Sequence, residues 1–368
     1  MHFIGKILDG LVLLANLLVL ALFTCSAYSD HISPLRSIYP SYLGILFPFF
    51  FVAVILFLVY WTIRLKWYAL LGVVAVIGCW EPVTRYMPYH LSREKEHAED
   101  IKLLTYNTCG LGQNDSKKNG HAVLDFIKRE DPDIVCLQEY TFYKRADGLT
   151  EKKIRRILSK YPYYHYNAAS KSYTSGLAIF SKYPIRRTQA INYESLYNNS
   201  CLYELDVKGS RITVINNHLE SNQLSKEDKE FYNEMIRHFD SDKIDEIRTT
   251  LVHKLGKAYR VRAVQADTLR NIINRQTNPV IVCGDFNDTP ISYCYKRIRG
   301  DLKDAFRESG FGLGITYHEN KFLFRIDHIL HSDSFRAYNA KVHHVTYSDH
   351  YPVSVFLTFP QKITKEQK

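Results

Sequence analysis

An α+β domain behind an apolar N-terminal helical segment is the fold class that the 368 residues predict. Three observations carry it. Charge is unevenly divided: residues 1–91 hold 5 Lys or Arg and 3 Asp or Glu, while the rest of the chain holds 43 and 35. Long uncharged runs occupy the first part. In the second part, short β-type runs recur between turns and helical stretches. With 46% apolar residues and a net charge of +10, disorder, a collagen-like fibre and a disulfide mini-protein are excluded.

The first uncharged run is Gly10 to Ser29 and the second is Ser37 to Ile63, which includes Tyr42 to Trp61. About twenty helical residues cover ~30 Å, the thickness of a bilayer core, so both runs read as transmembrane helices. A third run, Trp67 to Trp80, covers only ~21 Å unless it continues past Glu81. Its terminal tryptophans read as interfacial anchors, and a buried or re-entrant helix is its alternative. Pro48 is tolerable within the second run as a kink. Lys6 to Ala27 also fits a signal peptide ending in Cys25-Ser26-Ala27, and with three spans the remaining chain emerges on the same side in either case. Arg64 and Lys66 favour a cytoplasmic loop between the second and third spans, against the pull of Arg85, Arg93 and Lys95. The expectation is an integral protein of the inner or plasma membrane with an extracytoplasmic domain. Residues 1–90 form a membrane segment of two or three helices, 91–100 a solvated charged linker, and 101–368 the folded domain.

Within that domain, strand-like runs stand at IKLLTY, DIVCLQ, GLAIFS, CLYELDV, RITVINN, PVIVCG, FRIDHILH and VSVFLTF. Helical pattern marks His121 to Arg129, Lys152 to Leu158, and the charged region from Ser225 to Arg275, where Val261, Val264, Leu269, Ile272 and Ile273 fall near helical spacing. Lys254, Lys257, Arg260, Arg262 and Arg270 on that region read as a solvated face or, less simply, a grip for polyanions. Cys25, Cys79, Cys109, Cys136, Cys201, Cys283 and Cys294 make no CxxC motif and read as buried thiols. His331, His343 and His344 have no spacing that marks a site.

Polar residues that a strand does not need recur at strand ends, where loops can gather them. They are Asn107 after IKLLTY, Glu139 after DIVCLQ, His218 in ITVINNHLES, Asp285 and Asn287 in GDFND, Asp327 in RID, and Ser348-Asp349-His350. Each has an ordinary reading by itself: a turn cap for Asp285, a strand-end charge for Glu139, a core histidine for His218. Together they are carboxylates, amides and imidazoles. Oxygen donors of this type suit a hard dication such as Mg²⁺ or Mn²⁺ rather than Zn²⁺, and such sites commonly act on phosphate esters.

The ordered set QE, GDFN and SDH resembles the endonuclease/exonuclease/phosphatase superfamily over about Ile101 to Phe359. The resemblance implies a deoxyribonuclease I-like four-layer α/β/β/α sandwich, two face-to-face sheets with helices outside. It implies that Glu139, Asn107 and Asp349 surround the metal ion. Asp285 would orient or deprotonate the attacking water, and Asn287 would hold nucleophile and phosphate. His350, fixed by Asp327, would contact the scissile phosphate, and His218 would protonate or stabilise the leaving oxygen. Ser175, ahead of GLAIFS, sits like a family segment near the phosphate and is carried as a substrate contact. Cys109 stands where abasic-site endonucleases carry a second carboxylate, which favours one metal ion and argues against close kinship with them.

The leading expectation is a membrane-anchored, Mg²⁺-dependent phosphoric ester hydrolase acting on nucleic acid, a lipid headgroup or an inositol phosphate. The domain's +8 mildly favours nucleic acid, and tethering by multiple spans is compatible with lipid headgroups or extracytoplasmic nucleic acid alike. Two competing readings are a non-catalytic phosphate-binding module on the same fold and a membrane transport protein with an accessory domain. Retention of every water-activating group weighs against the first, and spans without internal charges weigh against the second. No obligate protein partner is implied.

Overall fold

The structure is a computed structural model that describes residues 2–91, 94, 100–112, 119–144, 148–169, 175–193, 195, 198–222, 241–319 and 323–359. The N-terminal segment holds α1 (His2–Ala27), α2 (Tyr39–Ile45), α3 (Phe47–Ile63), α4 (Ala69–Gly78) and α5 (Trp80–Tyr86). The later part contains β1 (Ile101–Asn107), α6 (Gly120–Glu130), β2 (Ile134–Tyr140), α7 (Glu151–Ile157), β3 (Tyr163–Ala168) and β4 (Gly176–Ser181). Next come β5 (Ile185–Ile191), β6 (Asn199–Val207), β7 (Ser210–His218), α8 (Ser241–Asn274) and β8 (Val280–Asp285). Last are α9 (Tyr293–Arg299), β9 (Lys303–Asp304), α10 (Ala305–Ser309), β10 (Asp327–His331), β11 (Arg336–Val342) and β12 (Val353–Thr358). Residues 223–240, the start of the long helical region read from the sequence, lie outside the described residues.

The strands form two six-stranded sheets, in the orders β11-β12-β1-β2-β4-β3 and β5-β6-β7-β8-β10-β9. Alternation of side chains sorts each strand between two cores. On β1, β2 and β4 the residues Leu103, Ile134, Cys136, Leu177 and Ile179 face the other sheet, which answers with Cys201, Tyr203, Ile212, Val214, Ile281, Cys283 and Ile329. Their neighbours Leu104, Val135, Leu137, Ala178 and Phe180 face outward onto Val123, Phe126 and Ile127 of α6 and Ile154 of α7. On the second sheet Leu202, Ile215, Val280, Val282 and Leu330 meet Ala266, Leu269 and Ile273 of α8 and Cys294, Tyr295 and Ile298 of α9. Three cores between four layers are the α/β/β/α sandwich that the family resemblance implies.

All eight predicted strand runs form. Four others, β3, β5, β9 and β11, were not legible, and they are the four sheet edges. Arg262 corrects the reading of a solvated basic face: it is fully buried, with Nε 3.3 Å from Asp288 Oδ2 and Nη1 donating to the Glu220 carbonyl at 2.7 Å. Val264, by contrast, is 53% exposed and lies off the packed face of α8. In the 91–100 stretch Glu94 pairs with Arg336 at 2.6 Å, so that charge is engaged rather than simply solvated.

In the N-terminal segment one helix, within Lys6–His31, is long and apolar enough to cross a membrane, and up to three spans result if each of two bent helix pairs counts as one. The second and third runs are not straight helices. α2 and α3 meet at 58°, and α4 and α5 at 72°. Proline explains both breaks, because its ring clashes with the carbonyl four residues back and it has no N–H to give. Pro48 falls in the first turn of α3, and Pro82 in α5 excludes the Gly78 carbonyl from the helix. That freed carbonyl accepts from the Tyr28 hydroxyl at 2.5 Å instead. Arg64 and Lys66 both reach Asp9, at 2.8 and 3.7 Å, which ties the end of α3 to the start of α1.

Candidate active site

Strand register alone assembles most of the cluster. On β7 the inward face runs Ile212, Val214, Asn216 and ends in His218; on β8 it runs Ile281, Cys283 and ends in Asp285; on β10 it begins with Asp327 ahead of Ile329. His218 pairs with Asp285 in the parallel β7–β8 ladder, and Asp285 pairs with Asp327 in the antiparallel β8–β10 ladder. Three of the nominated side chains thus stand in one row, one strand spacing apart. Asn107 ends the inward face of β1 in the opposite sheet and pairs with Gln138.

Glu139 breaks the alternation. By parity it would face the outer core with Leu137, but it has φ +48°, and the β2–β4 register shifts between Leu137 and Tyr140. This bulge turns the carboxylate back toward the cleft, the usual use of such an irregularity. The same register places Gly176 beside Tyr140, so Ser175, half-buried, stands at the same rim as Glu139.

Hydrogen bonds join the two sheets across the cleft. The Asn107 amide donates to Glu139 Oε1 at 3.1 Å and to Asp285 Oδ2 at 3.0 Å, while its oxygen accepts from the Cys109 N–H. His218 Nε2 lies 3.6 Å from Glu139 Oε1 and 3.8 Å from Asp285 Oδ2. His350 Nδ1 meets Asp327 Oδ2 at 2.8 Å, and its Nε2 lies 3.7 Å from Asp285 Oδ2. Asp349 enters through Ser348, whose hydroxyl stands 3.1 Å from Asp349 Oδ1 and 2.8 Å from the Asn107 carbonyl. Asn287, with φ +51°, donates its own N–H to Asp285 Oδ1 at 2.8 Å and its amide to the Leu219 carbonyl at 2.9 Å. All the residues nominated from the sequence therefore fall at one end of the sandwich.

A family model described as the endonuclease/exonuclease/phosphatase family matches residues 104–350, more than half of the chain. The chain belongs to that family. A second model, a domain of unknown function (DUF8431), matches residues 9–86. A 5'-tyrosyl-DNA phosphodiesterase of Caenorhabditis briggsae is 26% identical over 131 residues, 34% of this chain and 35% of that protein, so the match spans about a third of its length. A crystal structure of an endonuclease/exonuclease/phosphatase from Bacteroides vulgatus is 18% identical, covering 71% of this chain and 99% of that one, with a TM-score of 0.50. Another from Bacteroides thetaiotaomicron is 17% identical, covering 73% and 98%, also with a TM-score of 0.50. These two show the fold.

Members of the endonuclease/exonuclease/phosphatase family are phosphoric ester hydrolases that depend on a divalent metal ion. In this member the charge states of the cleft are set by environment. Burial pulls the His350 imidazole down, but Asp327, Asp285 and Asp349 outweigh it and push it up to about 10. Burial raises Asp285 to about 6, opposed by the His350 cation and reinforced by Asp327. Burial lowers His218, with Asp285 pulling the other way and the charged His350 adding to the fall. The two imidazoles are therefore driven apart, one held as a cation and the other neutral, a separation that commonly distinguishes roles.

Among the described residues, two sets of side chains in the cleft could hold a metal ion. Asp285, Asp327 and His350 have ligand atoms within 4.8 Å of one another. For a hard dication that trio is the poorer fit, because one of its three donors is an imidazole nitrogen and Asp327 Oδ2 is already engaged with His350 Nδ1 at 2.8 Å. The set around Glu139, with Asn107 and Asp349, offers hard oxygen donors beside a cleft rich in carboxylates, and it fits a dication better. As placed, Asn107 turns its NH₂ toward Glu139, so it positions that carboxylate rather than offering its oxygen on that side.

Sequence reading missed the support beneath the site. Gln138 Nε2 donates to Asn216 Oδ1 at 2.6 Å and to Thr105 Oγ1 at 3.0 Å, and Asn216 donates to the carbonyls of Leu137 and Ala178. This fully buried amide pair bolts one sheet to the other directly under Asn107 and His218. A detectable signal existed: Gln138 and Asn216 occupy the inward parity of strands whose other inward residues are apolar. His328 was also missed; burial lowers it to about 4, and it packs between Phe286 and Tyr295 with Nε2 2.9 Å from the Asp288 carbonyl.

Proposed function

We propose that the chain is a membrane-anchored, divalent-metal-dependent phosphodiesterase or phosphomonoesterase, in which water activated by Asp285 attacks phosphorus. The observation that supports this most is the row His218, Asp285, Asp327 carrying His350, faced across the cleft by Asn107 and Glu139. Residues 101–368 would be the catalytic domain and 1–90 the membrane segment. Glu139 and Asp349, with Asn107 positioning Glu139 beside them, would hold Mg²⁺ or Mn²⁺, which when bound supplies neutralisation of phosphate charge.

The chain's own groups divide the remaining work. Asp285, buried and raised, accepts the proton of the attacking water, with Asn287 fixing its Oδ1 through a backbone N–H. His350 stays protonated beside Asp327 and donates to a phosphoryl oxygen. His218, held neutral, serves as a hydrogen-bond donor to the leaving oxygen rather than as a full acid. Ser175 at the rim contacts the substrate. A phosphodiester is favoured, and the partial likeness to a tyrosyl-DNA phosphodiesterase keeps nucleic acid beside lipid headgroups and inositol phosphates as candidate esters.

The roles predict a bell-shaped dependence of kcat/KM on pH. Asp285 must be ionised, so activity falls as pH drops through about 6; His350 must be protonated, so it falls again as pH rises through about 10. Hydrolysis of bis(4-nitrophenyl) phosphate by the full chain in detergent reads both limbs. A rate that climbs as pH falls from 7 to 5 contradicts Asp285 as the base.

We further place the catalytic domain outside the cytoplasm, on the side opposite the end of the helical bundle that carries Arg64 and Lys66. Reporter fusions after Pro88 are expected to be active in an extracytoplasmic assay. A cytoplasmic readout contradicts the placement.

A further inference from the structure

The N-terminal segment grips both loops that carry the candidate catalytic carboxylates. Ile291, four residues past Asn287, is fully buried in a cluster with Phe23, Phe47, Val83 and Tyr86, and the Ser29 hydroxyl donates to its carbonyl at 3.3 Å. Arg325, two residues before Asp327, is 3% exposed, with its guanidinium over the Phe306 ring at 4.6 Å. Its Nη2 donates to the Arg85 carbonyl, while Nε and Nη1 have no hydrogen-bond partner among the described residues. Arg85 is itself held: its guanidinium donates to Asp30 at 2.7 Å, both groups are nearly inaccessible, and Asp30 also meets Lys296 of α9 at 3.3 Å.

We propose that Arg85 and Asp30 are positioning residues for the hydrolytic centre, fixing the carbonyl that receives Arg325 and through it the strip that presents Asp327. The strip is otherwise fastened by the Ile326 and Asp327 N–H groups, both donating to Thr316 Oγ1 at 3.0 and 3.1 Å, and by the Ile326 carbonyl accepting from Phe286 N–H at 2.9 Å. A buried guanidinium that loses its one acceptor must move to find another, because an unsatisfied buried cation is costly. Asp327 is too near in the chain to stay in place when it does. The membrane segment is thereby part of the catalytic scaffold and not only its anchor. This inference rests on the roles proposed above for Asp327 and His350.

Full-length protein in detergent, with Mg²⁺ and bis(4-nitrophenyl) phosphate, tests it through Arg85→Met, Asp30→Asn, Arg85→Lys and the control Arg64→Met at the far end of the bundle. Arg85→Met and Asp30→Asn are expected to lower kcat by about tenfold with KM within about twofold, since small displacements of a reacting group cost this much or more. Amide exchange at Ile326 and Asp327 is expected to quicken by about tenfold while β12 stays protected. Arg85→Lys should recover part of both effects, and Arg64→Met should change neither. Wild-type kcat in Arg85→Met, unchanged exchange at Ile326 and Asp327, or a uniform loss of protection across the sheets each overturns the proposal. If the wild-type chain hydrolyses nothing, the hydrolase reading fails instead, and the exchange data still decide whether the segment orders the strip.

Discussion

Asp285→Asn is expected to lower kcat by about 1,000-fold, roughly 4 kcal/mol of transition-state stabilisation, as is usual when a general base is replaced by a group that cannot take a proton. The substitution keeps the shape of the side chain and an oxygen for the Asn287 N–H. It removes the only property that the proposed chemistry requires of this position. Stability should move the other way. Burial raises Asp285, so the folded state disfavours its ionised form, and above pH 6 a neutral amide relieves that cost. A variant that is inactive, folded and at least as heat-resistant as the wild type at pH 8 is the expected result. Retained turnover removes Asp285 from the mechanism.

His350→Ala is expected to cost about 100- to 1,000-fold in kcat, the scale seen when a preorganised donor to a developing anion is lost. The main proposed work of Asp327 runs through His350, holding Nδ1 at 2.8 Å and pushing its pKa up, beside a smaller direct effect on Asp285. Asp327→Asn should therefore lower kcat by itself, yet add little once His350 is gone, because residues acting as one unit are not additive. Equal and multiplicative losses in the double variant would show that Asp327 works independently.

Asp285 was visible in the sequence for the same reason as His218 and Asn107. A strand with a largely apolar inward face that ends in a polar residue presents that residue to a cleft, and β7, β8 and β1 each do this with His218, Asp285 and Asn107. Interior strands were legible because burial on both faces makes continuous apolar runs. The edge strands were not. β5 reads IRRTQAI and β11 reads RAYNAKV, since a strand with one neighbour and a wet face needs no such run. Tertiary facts were hidden for another reason: the bulge that turns Glu139 inward, the Gln138–Asn216 bolt and the Arg85–Asp30–Lys296 cluster depend on chain segments meeting that no local pattern records. Pro48 was legible as a kink, and the 58° break falls beside it, where the helix restarts at Phe47.

The metal assignment turns on the same electrostatics. In the proposed scheme His350, bonded to Asp327, faces the phosphate, and Glu139, turned to the opposite wall by a positive φ, faces the dication. Chelation is expected to abolish turnover without unfolding the sheets, which pack through a shared apolar core and the Gln138–Asn216 hydrogen bond.

The most direct measurement incubates purified full-length protein with plasmid DNA, sphingomyelin, inositol phosphates and bis(4-nitrophenyl) phosphate, in Mg²⁺ and in EDTA. Hydrolysis of at least one ester in Mg²⁺, abolished by EDTA and restored by added Mg²⁺, is the predicted result. No hydrolysis of any of these esters, or cleavage that continues undiminished in EDTA, would contradict a metal-assisted phosphoric ester hydrolase built on this cleft.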